Sequence, residues 1–164
     1  MRVYLPGTLP ELAAAVAAGG FGSTPILGYA VTPALREWYA SGDSEELEYA
    51  AMIDAARASL RRLDADPAAP PRRVVVAAEV PDGRAMLAPE LHPAAVRIEE
   101  AVPLQWLASV HVDDASAEVD VAAAAAAVRA ADKGDPDASY VVDGVEDHEL
   151  QWYAIQELPD LLNR

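Results

Sequence analysis

The chain has 164 residues, no cysteine and a net charge of −15, with Lys133 its single lysine. That length suits one domain with a real core. The missing cysteines exclude disulfides and thiolate metal clusters, and a field of that sign repels nucleic-acid phosphate and anionic lipid.

The amino terminus, MRVYLPGT, reads as a short strand over Val3, Tyr4 and Leu5, closed by Pro6 and Gly7. It lacks the apolar run of a signal peptide, and no later stretch approaches a membrane span, so a cytoplasmic protein is expected. Thr8 followed by Glu11 has capping-box spacing for a helix carrying Leu9, Leu12 and Val16, which Gly19 and Gly20 end. A second strand around Tyr29 and Val31 follows. Strand, helix and strand in this order predict a parallel pair. Thr32 and Pro33 then start a short helix that presents Leu35, Trp38 and Tyr39 inward.

Asp43 and Glu46 cap the longest helix. Leu47, Ala50, Ile53, Ala56, Leu60 and Leu63 recur every three or four residues and form its buried stripe, widened by Tyr49 and Met52. Acids in its first turn and Arg57, Arg61 and Arg62 near its end complement the helix dipole. The proline-rich run 64–73 predicts an exposed loop. RRVVVAAEV, apolar on both faces, predicts a central strand covered on both sides. Val96, Ile98 and Val102 alternate with polar neighbours in a strand with one wet face. A helical turn at Leu104 to Trp106 leads into a strand from Leu107 to Val112, expected to be an edge or half-exposed strand because one face is polar. An alanine-rich helix runs to about Asp132 and stops at Gly134. Residues 135–143 read as an acidic loop, and a last helix opens near Asp143, carrying Leu150, Trp152, Tyr153, Ile155 and Leu158.

The expected fold is therefore a single α/β domain over 1–164, a mixed sheet of about five strands with helices packed on it. An α+β sandwich of ferredoxin-like kind, with helices on one face only, is the alternative.

No stretch carries a reaction signature. In a parallel sheet the turns after three strands would share one crevice at the carboxyl edge, where helix amides attract anions. Arg36 would supply a cation there, with His111, Asp113 and Asp114 beside it. These four are the candidate catalytic residues, although Arg36 is expected to pair with a protein carboxylate and Thr8 and Thr32 to act as caps. Ser109, His111 and Asp113 resemble a triad in composition. Side chains two apart on a strand sit about 6–7 Å apart, however, which argues for a polar strand face instead. His148 would have to join His111 and the two aspartates to make a metal site, and the spacing matches no zinc signature.

DPDASYVVDGVE places oxygen donors at calcium-loop positions, making Asp135, Asp137, Asp143 and Glu146 candidate metal ligands. Tyr140 stands where that loop needs glycine. A surface turn anchored by Tyr140, followed by an Asp143–Glu146 capping box, is the preferred reading.

The segments MRVYLPGT, YAVTPALREWYASGDSEELEYAAMIDAA, VVVAAEV, VHVDD and EDHELQWYAIQEL together resemble an uncharacterised family of small actinobacterial proteins, a domain of unknown function. The resemblance covers Met1 to about Leu158. It implies a cytoplasmic bacterial protein and brings no activity, cofactor or catalytic residue. The expected function is a non-catalytic binding or regulatory module, acting through the acidic surface or an apolar patch on a protein partner or a second copy. A small-molecule enzyme working at the carboxyl edge, with a small anionic ligand, is the alternative. No cofactor is expected, and neither nucleic acid nor membrane is an expected partner.

Overall fold

The computed structural model describes residues 1–163. The chain begins with β1 (Arg2–Gly7), α1 (Leu9–Ala18), β2 (Gly20–Phe21), β3 (Ile26–Tyr29), α2 (Pro33–Trp38) and α3 (Ser44–Ala65). It continues through β4 (Val74–Glu79), β5 (Ala85–Leu87), β6 (Ala95–Ile98), β7 (Val102–Pro103) and β8 (Leu107–Val112). It closes with α4 (Glu118–Asp132), α5 (Pro136–Gly144), β9 (Gln151–Ala154) and α6 (Leu158–Leu162).

Seven strands form one sheet in the order β5-β6-β3-β1-β4-β8-β9, two more than expected, while β2 and β7 make a separate ribbon. Every neighbouring pair in the large sheet is antiparallel. The mixed sheet and the parallel β1–β3 unit are thus corrected. Tyr4 pairs with Tyr29, so β3 enters beside the end where β1 leaves. Helix α1 and residues 19–25 make a detour that leaves and rejoins the same end of the sheet. Gly19, at φ 87°, turns the chain out of α1, and Gly20 pairs with Pro103 in the ribbon that anchors the detour. A strand–helix–strand pattern does not reveal such a return.

Helices cover both faces, so the one-sided ferredoxin-like alternative does not hold. On one face Val3, Leu5, Val74, Val76, Val110 and Val112 pack with α1 and α6. On the other, Tyr4, Val75 and Ala77 lie under Leu35 of α2 and Leu47, Ala51 and Ala55 of α3. Helices α4 and α5 join α3 in a further cluster around Leu60, Val121, Val128 and Val142. The predicted doubly covered strand is β4, between β1 and β8. Gly28 has a packing role: a Cβ there would lie 2.5 Å from Val3 Cγ1 and 2.9 Å from Leu5 Cδ2, so β1 side chains occupy its place.

The caps follow the sequence. Thr8, Thr32 and Asp43 each accept from the backbone amide three residues on. Leu60 and Leu63 are buried in α3, but Tyr49 is exposed, and so are Trp38 and Tyr39 at the end of α2. Strand β6 stops at Ile98, and Val102 belongs to the ribbon instead. Strand β8 keeps its predicted bounds but is not an edge, because β9 lies outside it.

The carboxyl-terminal quarter differs most. Residues predicted as an acidic loop are α5, started by Pro136 with Asp135 capping the Asp137 amide. Residues predicted as the last helix hold β9 and only then the short α6. Tyr140 is 83% exposed and anchors nothing.

Candidate functional site

The antiparallel sheet takes the expected crevice apart. Thr8 follows β1 and Thr32 follows β3, so they lie at opposite ends. Arg36 stays with Thr32, is exposed and makes no ion pair among the described residues, so the expected pairing with a carboxylate is corrected. Asp113 and Asp114 lie at the other end, because β8 runs in the direction of β1.

Asp113 belongs instead to a buried junction. Val74 pairs with Val112, which sets Arg73 opposite Asp113 where β4 begins and β8 ends. Arg73 Nε donates to Asp113 Oδ2 and Nη2 to Oδ1, both at 2.8 Å. The Arg73 amide adds a third bond to Oδ2 at 2.8 Å. Nη2 also donates to the His148 carbonyl at 2.9 Å, and Arg72 Nε to the Asp113 carbonyl at 2.8 Å. With Arg73 2% and Asp113 0% exposed, this is a buried fork-to-fork pair in which both Asp113 carboxylate oxygens accept from Arg73. It ties β4, β8 and the turn before β9 together and leaves nothing for a substrate. Arg73 thereby corrects the exposed reading of the 64–73 loop, as does Ala69, which is buried against α3 and α4. Asp114 is exposed and caps the next turn by accepting from the Ser116 amide; the Ser116 side chain first, and then that amide, hold its carboxyl below the usual range.

Ser109 and His111 do meet. Ser109 Oγ lies 3.2 Å from His111 Nε2, because both side chains lean along the strand and close a gap that Cα spacing leaves open. That corrects the spacing argument for this pair. Burial, and then the charge of Arg2, push the His111 pKa below its ordinary value, so the imidazole is neutral at pH 7. Asp113 is held by Arg73 and cannot orient it. Ser109 is buried, which closes it to a substrate.

The calcium-loop residues do not converge. Asp135 is a cap, and Asp143 lies 3.6 Å from Arg57. A helical backbone spreads the donors along α5 instead of wrapping them around an ion. Among the described residues no group of three acids or histidines is placed to hold a metal.

A cleft lined by carboxylates and tyrosines lies where α2 turns into α3. Its volume is about 350 Å³, and Tyr39, Glu46, Tyr49, Asp54 and Glu146 line it above Leu47 and Ile53. The turn through Ser41 and Gly42 leaves Tyr39 on one wall, and helical spacing brings Glu46, Tyr49 and Ile53 to the other. Asp54 comes one helical residue later. Burial raises its carboxyl pKa, against the opposing pull of His92, Arg57 and Arg61. Glu146 is raised too, by burial and then by Asp143. Behind Asp54, His92 Nδ1 accepts the Ala94 amide at 3.0 Å, which leaves its Nε2 facing Asp54 at 3.6 Å. Tyr29 holds the imidazole edge-on, with ring centres 5.7 Å apart. Chemically the cleft offers carboxylates and aromatic faces to a cation. Sequence reasoning missed it because Glu146 joins α3 only through the tertiary fold. The local signal was a stripe with Tyr49 and Asp54 at its margin.

No curated protein and no solved structure matched the chain. A family of unknown function, DUF6912, matches it over residues 1–162, and the chain belongs to that family.

Proposed function

We propose that the protein is a non-catalytic binding module whose working surface is the cleft between α2 and α3. There it receives a cationic group, a lysine or arginine side chain presented by a basic protein partner. The observation that carries this reading is that Asp54 and Glu146, two carboxyls with raised pKa, line one cleft with Tyr39 and Tyr49. Carboxylates with shifted pKa in a cleft are a mark of function. A guanidinium or ammonium entering there would offset the burial of their charged forms and meet ring faces. The net charge of −15 would bring such a partner in. A cytoplasmic, actinobacterial setting, implied by the resemblance above, goes with this reading as an expectation.

Fluorescence anisotropy with a labelled nona-arginine peptide tests it. Asp54→Asn, Glu146→Gln and Tyr49→Ala should each weaken binding about tenfold, since each removes a charge-assisted hydrogen bond or a cation–π interaction. Asp82→Asn, which removes one exposed acid elsewhere, should change it little. Equal losses for Asp82→Asn and Asp54→Asn would reduce the effect to bulk charge and refute the cleft.

A further inference from the structure

A second cleft of about 350 Å³ opens at the other half of α3, between α1 and the start of β3. Its helix wall is small. Ala14, Ala15 and Ala18 follow Glu11 at intervals of three, four and seven residues, so one face of α1 consists of methyl groups headed by an acid. Leu5, Phe21 and Ile26 complete an apolar interior. At the mouth, Arg62 reaches from α3 and its Nη1 lies 2.6 Å from Glu11 Oε2, with both side chains about two-fifths exposed. An apolar interior with a few placed polar groups, at the small end of the size range for ligand sites, is what a small-molecule site looks like.

The charges at the mouth select the ligand class. A monocarboxylate that takes Arg62 strands Glu11. An amine that takes Glu11 strands Arg62. A zwitterion carrying both groups on one carbon replaces one ion pair by two and strands neither. We propose that this cleft binds a free α-amino acid with an apolar side chain, its carboxylate on Arg62, its ammonium on Glu11 and its side chain against Leu5, Ala15, Phe21 and Ile26. The methyl-lined wall leaves room for a branched or aromatic side chain, and a polar side chain laid against it loses water without gaining a partner there, so apolar amino acids are favoured although Ser23 also lines the cleft. This site is separate from the cleft at Tyr39 and Tyr49, and it stands whether or not that surface binds a basic partner.

Isothermal titration of the full chain with L-leucine and L-phenylalanine tests the site, alongside 4-methylpentanoate and 3-methylbutylamine, which each carry one of the two charges. Saturable binding of the amino acids alone is expected. Arg62→Gln and Glu11→Gln should each weaken it at least about tenfold, because each removes one charged partner of the ligand. Both residues are surface groups, and an unchanged far-UV spectrum will show that the fold is kept. Ala18→Leu, at an exposed position on the cleft wall, should block binding without touching either charge. The proposal is overturned if neither amino acid binds at millimolar concentration. It is equally overturned if the acid or the amine binds as tightly, or if the three variants bind like the parent chain.

Discussion

Asp113 and Arg73 hold their charges out of water only because each supplies the other's missing solvation. Removing one side leaves an unpaired buried charge, which costs about 3–5 kcal/mol. Asp113→Ala should therefore lower the unfolding free energy by about that amount, while Asp114→Ala, which removes only an exposed cap, should lower it far less. Urea denaturation of both variants checks the contrast, and equal losses would contradict the burial of the pair. The cleft carboxyls behave in the opposite sense. Asp54 and Glu146 have raised pKa values, so the folded chain holds their protons more tightly than the unfolded chain does. Their stabilisation is complete below the ordinary carboxylate value, about 4, and is lost as pH rises through the raised values. Asp54→Asn and Glu146→Gln should thus raise the urea midpoint at pH 7 and leave it nearly unchanged at pH 3, while weakening peptide binding. A lower midpoint at pH 7 would show the carboxylates to be structural. At this scale the caps were legible, because a cap and its amide lie three residues apart. The Arg73–Asp113 pair was not, because it depends on the register of two strands separated by several loops and short strands.

At the scale of elements, α3 was the most legible. Its cap, apolar stripe and charge order agree, and each is local. Leu60, 1% exposed, sits where α3 meets α4, and Leu60→Ala should cost about 2–5 kcal/mol in a urea titration. A change near zero would contradict the packing of these helices. Helix α5 and strand β9 were misread for opposite reasons. Acids and a proline made 135–143 look like a loop, yet Asp135 and Pro136 are a helix start. Gln151 to Ala154 shares its composition with an amphipathic helix and becomes a strand because β8 offers it a ladder. That preference is set by tertiary context. Since Asp135, Asp137, Asp143 and Glu146 lie along a helix and the turn after it, calorimetry with calcium should be flat in the micromolar range. A binding isotherm lost on Glu146→Gln would require α5 to unwind.

At the scale of the molecule, the central strand was legible, while the number of strands and their direction were not. Strand β4 announced its central place by being apolar on both faces. Nothing local distinguishes a crossover from a detour that returns to its own end, so the predicted crevice vanished once β3 ran antiparallel to β1. The charge is a whole-molecule property as well. Twelve basic residues among 164, against 27 acids, predict no specific nucleic-acid binding in an anisotropy titration at physiological salt. Saturable binding would reveal a basic patch that the totals hide.

The pairing of β1 with β4 has a consequence in time. Arg2 and Glu79, partners at one end of that ladder, are 77 residues apart in sequence. During synthesis the first strand emerges early and must wait for nearly half the chain before its central neighbour exists. At about 5–20 residues per second the delay is several seconds. Until then α1 and α3 have only a fragment of the sheet to cover, and the apolar faces of β1 stay open. Helices that form alone, from local caps and charge order, bridge that interval. The sheet centre closes late, β8 and β9 extend it only after that, and this slow, long-range pairing should set the overall folding rate.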